Sequence, residues 1–450
     1  MNSKDVLKKI EDLPGSHVKF AVVDVDGVLR GKLISKKKFL KSTETIGFCN
    51  VVFGWDVKDG VYDDSKVTGW HTGFPDSTAS IDLGTYRKIP WNDDIPIFLA
   101  DFHRSESVAG VCPRTLLRKV DKRCRDAGYV AKFAGEYEWF NFKETPESIK
   151  IKGAARAEPL SPGMFGYSVL RASQHHEYMG GLADQLTRFG VPVEGIHTET
   201  GDGVYEACIE YSDILEAADR CVLFKSGVKE VALRHHIIAS FMAKWKNELP
   251  GCGGHIHQSL WDNEAGQNLF YNSEPDQDIS PLLEHYIAGQ LHCLPYILPM
   301  YAPTVNSYKR FVSGSWASTT VSWGVANRTT ALRVIPAGEE STRLENRVPG
   351  ADANPYLAMA AALASGLYGI QNKLTLDLPE TQGNEYQNPG TAPLSKNLKD
   401  AVSQMKSSDL AAELFGKEFT DHFLYTREWE WEQYSKSITD WELNRYFEII

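Results

Sequence analysis

Three short stretches place charged or imidazole side chains at every second position: Glu136-Tyr-Glu138, His255-Ile-His257 and Arg343-Leu-Glu345-Asn-Arg347. Each lies in strand-like sequence, where residues i and i+2 point to the same face. Each stretch therefore aims two polar groups into one space. Unpartnered charge held there is costly, so the pattern asks for a ligand or for counter-charges. Glu199 and Glu206 add two carboxylates on either side of Gly201-Asp202-Gly203. Such glutamates, with one or two histidines, form a donor set for hard divalent cations, Mg²⁺ or Mn²⁺, which take oxygen ligands and occasional imidazole. The arginines suit phosphate and carboxylate, which guanidinium grips with paired hydrogen bonds. Cations together with arginines are the charge inventory of phosphoryl transfer. Singly, each pair reads more simply as a solvated strand edge or a structural histidine; the combination carries the chemical reading.

The elements that must hold these groups are legible in outline. Val18 to Ile34 is apolar and β-branched on both sides of Asp26-Gly27, which predicts a hairpin closed by a tight turn. Cys112-Pro113 opens a helical run, and the domain boundary is placed there: residues 1–111, then 112–450. Tyr129 to Phe142 is strand-like, Asp213 to Lys244 reads as one long helix, and Gly251 to Leu260 as a turn followed by a strand. Asn354-Pro355 opens an alanine-rich helix running to about Leu367, residues 380–395 read as a surface loop, and the aromatic tail from Phe415 is helical. Strands and helices are thus mixed, in an α+β arrangement.

Composition narrows the function classes. The 450 residues carry a net charge of −11, with 42% hydrophobic and 24% charged side chains. That is ordinary globular protein, without the basic excess of a nucleic-acid surface. No apolar run approaches the ~20 residues that span a bilayer, and Met1 to Gly15 lacks the apolar core of a secretory signal; the expected location is the cytoplasm. Seven cysteines without a CxxC pair read as free thiols. Cys252, in a glycine-rich stretch, is the one that reads as accessible. Asp24-Val-Asp26-Gly also matches the nucleophile motif of haloacid dehalogenase-type phosphatases. That fold needs a helix next, whereas Leu29 to Ile34 continues as strand.

Taken in order, the motifs resemble the type I glutamine synthetases over nearly the whole chain. The matching segments are Gly135 to Glu138, Glu199 to Glu206, Gly251 to Leu260, Asn306 to Arg310, Asn327-Arg328 with Arg333, Arg343 to Arg347, Asn354 to Tyr356 and Ile438 to Glu442. The resemblance implies a small β-grasp-like N-terminal domain and a large catalytic domain with a curved antiparallel sheet and helices. It implies two stacked hexamer rings with sites shared between neighbours. It implies that Glu138, Glu199 and Glu206 hold one divalent ion, and Glu136, His255 and Glu345 a second. Arg310 and Arg347, with the backbone at Gly251, would grip glutamate. Arg328, Arg333 and Arg343 would stabilise the phosphates of ATP, His257 the phosphoryl group in transfer, and Ser259 would contact the nucleotide. The implied reaction phosphorylates the glutamate γ-carboxylate and then lets an amine displace phosphate.

One departure bears on the amine. In ammonia-using members a glutamate stands in the flap six residues after the arginine of Asn-Ser-Tyr-Lys-Arg and takes the proton from ammonium. Here that position is Trp316. An ammonium or alkylammonium has a pKa of roughly 9 to 10, like Lys, so it needs a base, and indole is none. Indole does line an apolar pocket or face a cation. The chain thus reads as closest in character to γ-glutamylamide synthetases, which join glutamate to an amine larger than ammonia. The other reading keeps ammonia and gives the proton to Asp56 or Asp59; Asp56 lies near where the family places an ammonium-binding aspartate. A second departure puts Leu376 where some bacterial relatives carry an adenylylated tyrosine, so no such regulation is expected.

Overall fold

The computed structural model describes residues 3–42, 45–273 and 279–450. Two sheets organise the chain. The first is the expected β-grasp-like unit of five strands: β1 (His17–Val23), β2 (Leu29–Ser35), β3 (Thr45–Cys49), β4 (Asp76–Ile89) and β5 (Ile95–Asp101), in spatial order β2-β1-β5-β4-β3. β1 and β5 are parallel neighbours; the other pairs are antiparallel. The predicted β1–β2 hairpin forms, but its connection spans Asp24 to Val28 rather than a two-residue turn. The Asp24 carboxylate explains the wider loop. It accepts the amides of Asp26 at 3.0 Å and Val28 at 2.9 Å, and the Arg30 Nε at 2.8 Å. Gly27 takes φ +81° there, a conformation that suits glycine.

The second sheet carries nine strands: β6 (Tyr129–Phe142), β7 (Val193–Thr198), β8 (Val204–Ile209), β9 (Ser212–Asp213), β10 (Ile238–Ser240), β11 (Gly254–Asp262), β12 (Trp323–Val325), β13 (Leu332–Ile335) and β14 (Arg343–Asn346). Its spine runs β12-β13-β14-β11-β6-β8-β7, with β9 and β10 also on β6. Only the β12–β13 pair is parallel. The curled, largely antiparallel sheet beside helices is the catalytic fold that the motifs implied.

Helices Pro113–Asp126, Ile214–Arg234, Pro281–Ile297 and Pro355–Gln371 pack into the core. The expected long helix from Asp213 to Lys244 is corrected: it ends at Arg234. His236 takes φ +57°, and Ile238 to Ser240 pair instead with Phe140 to Phe142. Apolar, β-branched sequence there is used by the sheet edge. The segment 380–395 is also less superficial than expected, because Thr381, Glu385 and Leu394 are buried. Glu385 accepts the hydroxyls of Thr320 and Thr381, both at 2.8 Å.

A buried arginine ties the first sheet to the helices of the second unit. Arg114 donates to Asp82 in β4, to Asp101 in β5 and to both oxygens of Asp219 in helix Ile214–Arg234, at 2.8 to 2.9 Å. Removing one partner from such a buried network costs about 3–5 kcal/mol. Arg114→Met should therefore lower the free energy of unfolding by that much, read as a lower denaturant midpoint. An unchanged midpoint would show that the three aspartates find other partners. Among the described residues, no helix is long and apolar enough to cross a membrane.

Candidate active site

Strand register, more than sequence spacing, builds the site. Glu136 on β6 stands opposite His255 on β11 and opposite Cys208 on β8. Glu138 stands opposite Glu206 on β8, which stands opposite His197 on β7. His257 stands opposite Glu345 on β14, which stands opposite Arg333 on β13. Directly opposed residues share a face of the sheet, so six strands deliver their polar side chains to one side. They surround a cavity of 730 Å³ whose walls include Glu136, Glu138, Glu199, Glu206, His255, His257, Trp316, Arg328, Arg333, Arg343 and Arg347. Glu345 lies just beneath, almost fully buried. A small adjoining recess is lined by Gly251, Arg310, Glu138 and Trp316. Ser259 lines a third space of 200 Å³ that shares Glu136, His257 and Arg343 with the main cavity. Its hydroxyl accepts the Trp261 indole N–H at 2.9 Å.

Two triads each bring three ligand atoms within 4.8 Å of one another: Glu136, His257 and Glu345, and His197, Glu199 and Glu206. The grouping differs in two places from the one the resemblance implied. His257 joins the first triad; His255 stays beside it, with Nδ1 3.2 Å from Glu136 and 3.4 Å from Glu345. His197 takes part in the second, with Nε2 3.1 Å from Glu206. Glu138 is turned so that one oxygen accepts the Gly253 amide at 2.9 Å.

The electrostatics show a surplus of negative charge at the second triad. Burial pushes the Glu138 carboxyl up to about 8, with Glu206 adding to the rise and the Gly253 amide and Arg310 opposing it. Burial disfavours the charged ring of His197, yet Glu206 and Glu199 hold it up at about 9. One buried oxygen of Glu199 has no hydrogen-bond partner. A carboxyl, Glu138, and an imidazole, His197, that keep their protons among further carboxylates fit a divalent cation, which would displace those protons. The first triad is compensated differently. Burial would raise Glu345, but Arg347, His257 and His255 bring it down to about 2. Arg333 and Arg347 donate to it at 3.0 and 2.5 Å.

The arginines keep free capacity. Arg310 is buried and makes no ion pair among the described residues; it donates to the carbonyls of Arg347, Val348 and Pro349 at 3.2, 2.5 and 2.9 Å. Its Nε, like those of Arg333 and Arg347, has no partner. A buried guanidinium without a carboxylate is costly, and it faces the recess where an anionic group would fit. Arg343 donates its Nε to His257 Nδ1 at 3.2 Å, while Arg328 stands exposed at the cavity wall.

Trp316 sits at the mouth, shared by the cavity and the recess, 55% exposed and with φ +64°. Its carbonyl accepts Arg347 at 3.4 Å. The next residue, Ala317, is anchored through its carbonyl by the Tyr386 hydroxyl at 3.0 Å. Residues 311–317 carry no acid.

Asp56 is not brought to this cavity within the chain. Its Oδ1 accepts the amides of Lys58 and Gly60 at 2.8 and 2.9 Å, and its Oδ2 the Trp429 indole at 3.1 Å. Those bonds organise a loop of the first sheet's unit and dock it on the C-terminal helix Lys417–Lys436. Cys252 is fully buried rather than accessible, and burial raises its thiol well above the usual range.

Sequence reading missed three groups. His197 forms a His197-Thr-Glu199 alternation of the same kind as the other clusters, so the signal was present. Cys208 donates to Glu136 at 3.0 Å and follows Glu206 by two residues on β8. Tyr167, stacked on His197 with ring centroids 4.3 Å apart, had no signal, because it reaches the site from a loop.

Known proteins share this arrangement. The glutamine synthetase catalytic domain model matches residues 110–446. A type-1 glutamine synthetase 2 of Dictyostelium discoideum is 47% identical, over all of this chain and 87% of its own length. A glutamate–isopropylamine ligase of Pseudomonas is 37% identical, over 100% and 99%. A gamma-glutamylethanolamide synthetase of Streptomyces coelicolor is 34% identical, over 96% and 92%. Among solved structures, GmaS in complex with ADP superposes with a TM-score of 0.85 at 27% identity, covering 98% of this chain and 99% of that one. With the family model matched over residues 110–446 and relatives of 34–47% identity over nearly the whole chain, this chain belongs to the glutamine synthetase family of ligases.

Proposed function

We propose that the chain joins the γ-carboxyl of glutamate to an amine larger than ammonia, at the expense of ATP, through a γ-glutamyl phosphate. The observation that carries the reading is Trp316, an exposed indole at the cavity mouth in a flap without any acid. Relatives named for isopropylamine and for an ethanolamide support it. We further propose that residues 1–111 form a unit distinct from the catalytic part, and that the chain assembles as two stacked hexamer rings.

In this reading the α-carboxylate of glutamate lies against Arg310 and the Gly251 backbone, with Arg347 orienting its other end. The γ-carboxylate oxygen attacks the terminal phosphorus of ATP, and ADP departs. Arg328, Arg333 and Arg343 neutralise the phosphoryl oxygens as charge shifts. His257, whose Nδ1 accepts from Arg343 and whose Nε2 faces Glu136, would act on the group in transfer as a member of the first triad and through its hold on Arg343. The amine, its extra proton given up to solvent, then attacks the acyl carbon through its nitrogen; the carbon–oxygen bond to phosphate breaks, and the departing phosphate carries away the N–H proton lost as the amide forms. Two divalent cations, Mg²⁺ or Mn²⁺, held by the two triads with Glu138 and His255 beside them, would supply further charge neutralisation at the phosphates. Ser259 and Trp261 line the space proposed for the nucleotide.

Gly251 gives a test of the glutamate recess. A methyl group there would lie 2.3 Å from the Ala243 carbonyl oxygen and 2.7 Å from Arg310 Cγ. Overpacking of this kind costs about 1–3 kcal/mol, so Gly251→Ala should raise KM for glutamate roughly 10-fold. KM for ATP should stay near its original value. Equal losses for both substrates would place Gly251 outside the glutamate recess.

Glutamine synthesis from ammonia is the second reading, and the 47% identity to a type-1 glutamine synthetase favours it. Phosphate release with glutamate and Mg²⁺, measured across ammonia, alkylamines, amino alcohols, polyamines and aniline, separates the two. A bulky amine should win by orders of magnitude. Ammonia turned over as well as any amine would return the chain to glutamine synthesis.

A further inference from the structure

Tyr167 is unusual in two respects. It takes φ +55° without being glycine, and its side chain remains 68% exposed. Its ring lies nearly flat on the His197 imidazole, with an interplanar angle of 27°. The stacked pair forms a partition. On one side is the 730 Å³ catalytic cavity, with Trp316 and the triads. On the other is a separate, open cavity of 420 Å³, which shares Tyr167 and His197 as walls and is otherwise lined mainly by Val169, Ala172, Met179 and Ile196.

This second cavity offers little but apolar contact. The Ser168 hydroxyl accepts the Arg171 amide at 3.2 Å, Ser173 donates to the Val169 carbonyl at 2.8 Å, and Thr198 donates to the Phe165 carbonyl at 2.8 Å. Its hydroxyls are thus already engaged. Among the described residues it is lined by no carboxylate and no ammonium; Tyr167, His176 and His197 are its titratable groups. The apolar wall is open to solvent, with Val169 80% exposed. An apolar space that shares a wall with a ligation site, on an enzyme whose flap has an indole in place of an acid, matches one part of one substrate.

We propose that this cavity receives the apolar tail of the amine substrate, whose nitrogen stays on the Trp316 side of the Tyr167–His197 partition. The proposal rests on the larger-amine reading and narrows it to monoamines with an alkyl or aryl body. A diamine or polyamine would bring a second ammonium into a space without counter-charge, at a desolvation cost. Tyr167, exposed and shared by both linings, lies along the route from the nitrogen to the tail.

The test is kcat/KM for n-alkylamines from methylamine to hexylamine, with 1,6-diaminohexane beside them. Each buried methylene should raise kcat/KM by roughly 4-fold, and the diamine should fall well behind hexylamine. In Ala172→Phe, which fills the cavity from its helical wall, the hexylamine-to-methylamine ratio should collapse toward one. In Val169→Ser, at an exposed position where folding is not at stake, the ratio should fall by several-fold. A flat chain-length profile with bulky amines still preferred over ammonia overturns the tail cavity and leaves the larger-amine reading standing. Ammonia preferred over every amine overturns that reading itself. An unchanged ratio in Val169→Ser overturns the assignment of the cavity, whatever Ala172→Phe does.

Discussion

Trp316→Glu should shift the preference of the enzyme from a bulky amine to ammonia. A positioned general base contributes roughly 10²–10⁴-fold where a proton must be removed, and an exposed flap without any acid supplies none. The substitution restores a carboxylate at a mouth shared by the cavity and the glutamate recess. It keeps the backbone contact, because Arg347 bonds the carbonyl and not the indole. It leaves the φ of +64° to be borne by another non-glycine residue, so strain changes little. The base serves ammonium and alkylammonium alike, so kcat/KM for ammonia should rise by at least ~10²-fold, read from phosphate release at saturating glutamate and ATP. The ammonia-to-alkylamine ratio should rise as well, because only the alkylamine also loses the apolar contact of the indole. Trp316→Phe separates the two functions of the side chain: it keeps apolar bulk and adds no base, so the ratio should stay low. A kcat/KM for ammonia unmoved in Trp316→Glu would mean that the proton is taken elsewhere, and Asp56 of a neighbouring subunit would become the first candidate.

Much of the site was legible because antiparallel strands repeat every two residues. Glu136-Tyr-Glu138, His255-Ile-His257 and the alternation from Arg343 to Arg347 each announced a polar face, and the sheet presents them together. Which members share a triad was not legible, since that depends on register between strands. Spacing along β11 cannot tell that His257, not His255, faces Glu345 across the ladder. Nor can it tell that β7 lies beyond β8 and adds His197 to the row. Within its own chain Asp56 stays away from the cavity, its carboxylate used locally by a turn and by Trp429. The overlong helix after Asp213 failed because helical periodicity does not register competition from a sheet edge, which claimed Ile238 to Ser240.

The two triads should respond in opposite ways to loss of a carboxylate charge. Glu345 is nearly fully buried, and its charge is matched by Arg333 and Arg347. Glu345→Gln leaves two guanidinium groups without their anion, and breaking a buried pair costs about 3–5 kcal/mol. The variant should show a lower thermal midpoint even without metal, together with a loss of phosphate release of roughly 10²–10³-fold or more. Glu138 is the contrasting case. Its carboxyl is raised to about 8 by burial and by Glu206, so at pH 7 without a cation it is largely neutral already. Glu138→Gln replaces a protonated acid with a neutral amide of the same shape, and the metal-free fold should melt where the parent does. What Glu138→Gln should lose is Mn²⁺ affinity, measured by titration calorimetry at pH 7, since the cation must displace a proton from that oxygen and the amide has no charge to offer. A destabilised Glu138→Gln with normal Mn²⁺ binding would reverse the assignment, making Glu138 a structural acceptor for Gly253 and leaving the second cation to His197, Glu199 and Glu206.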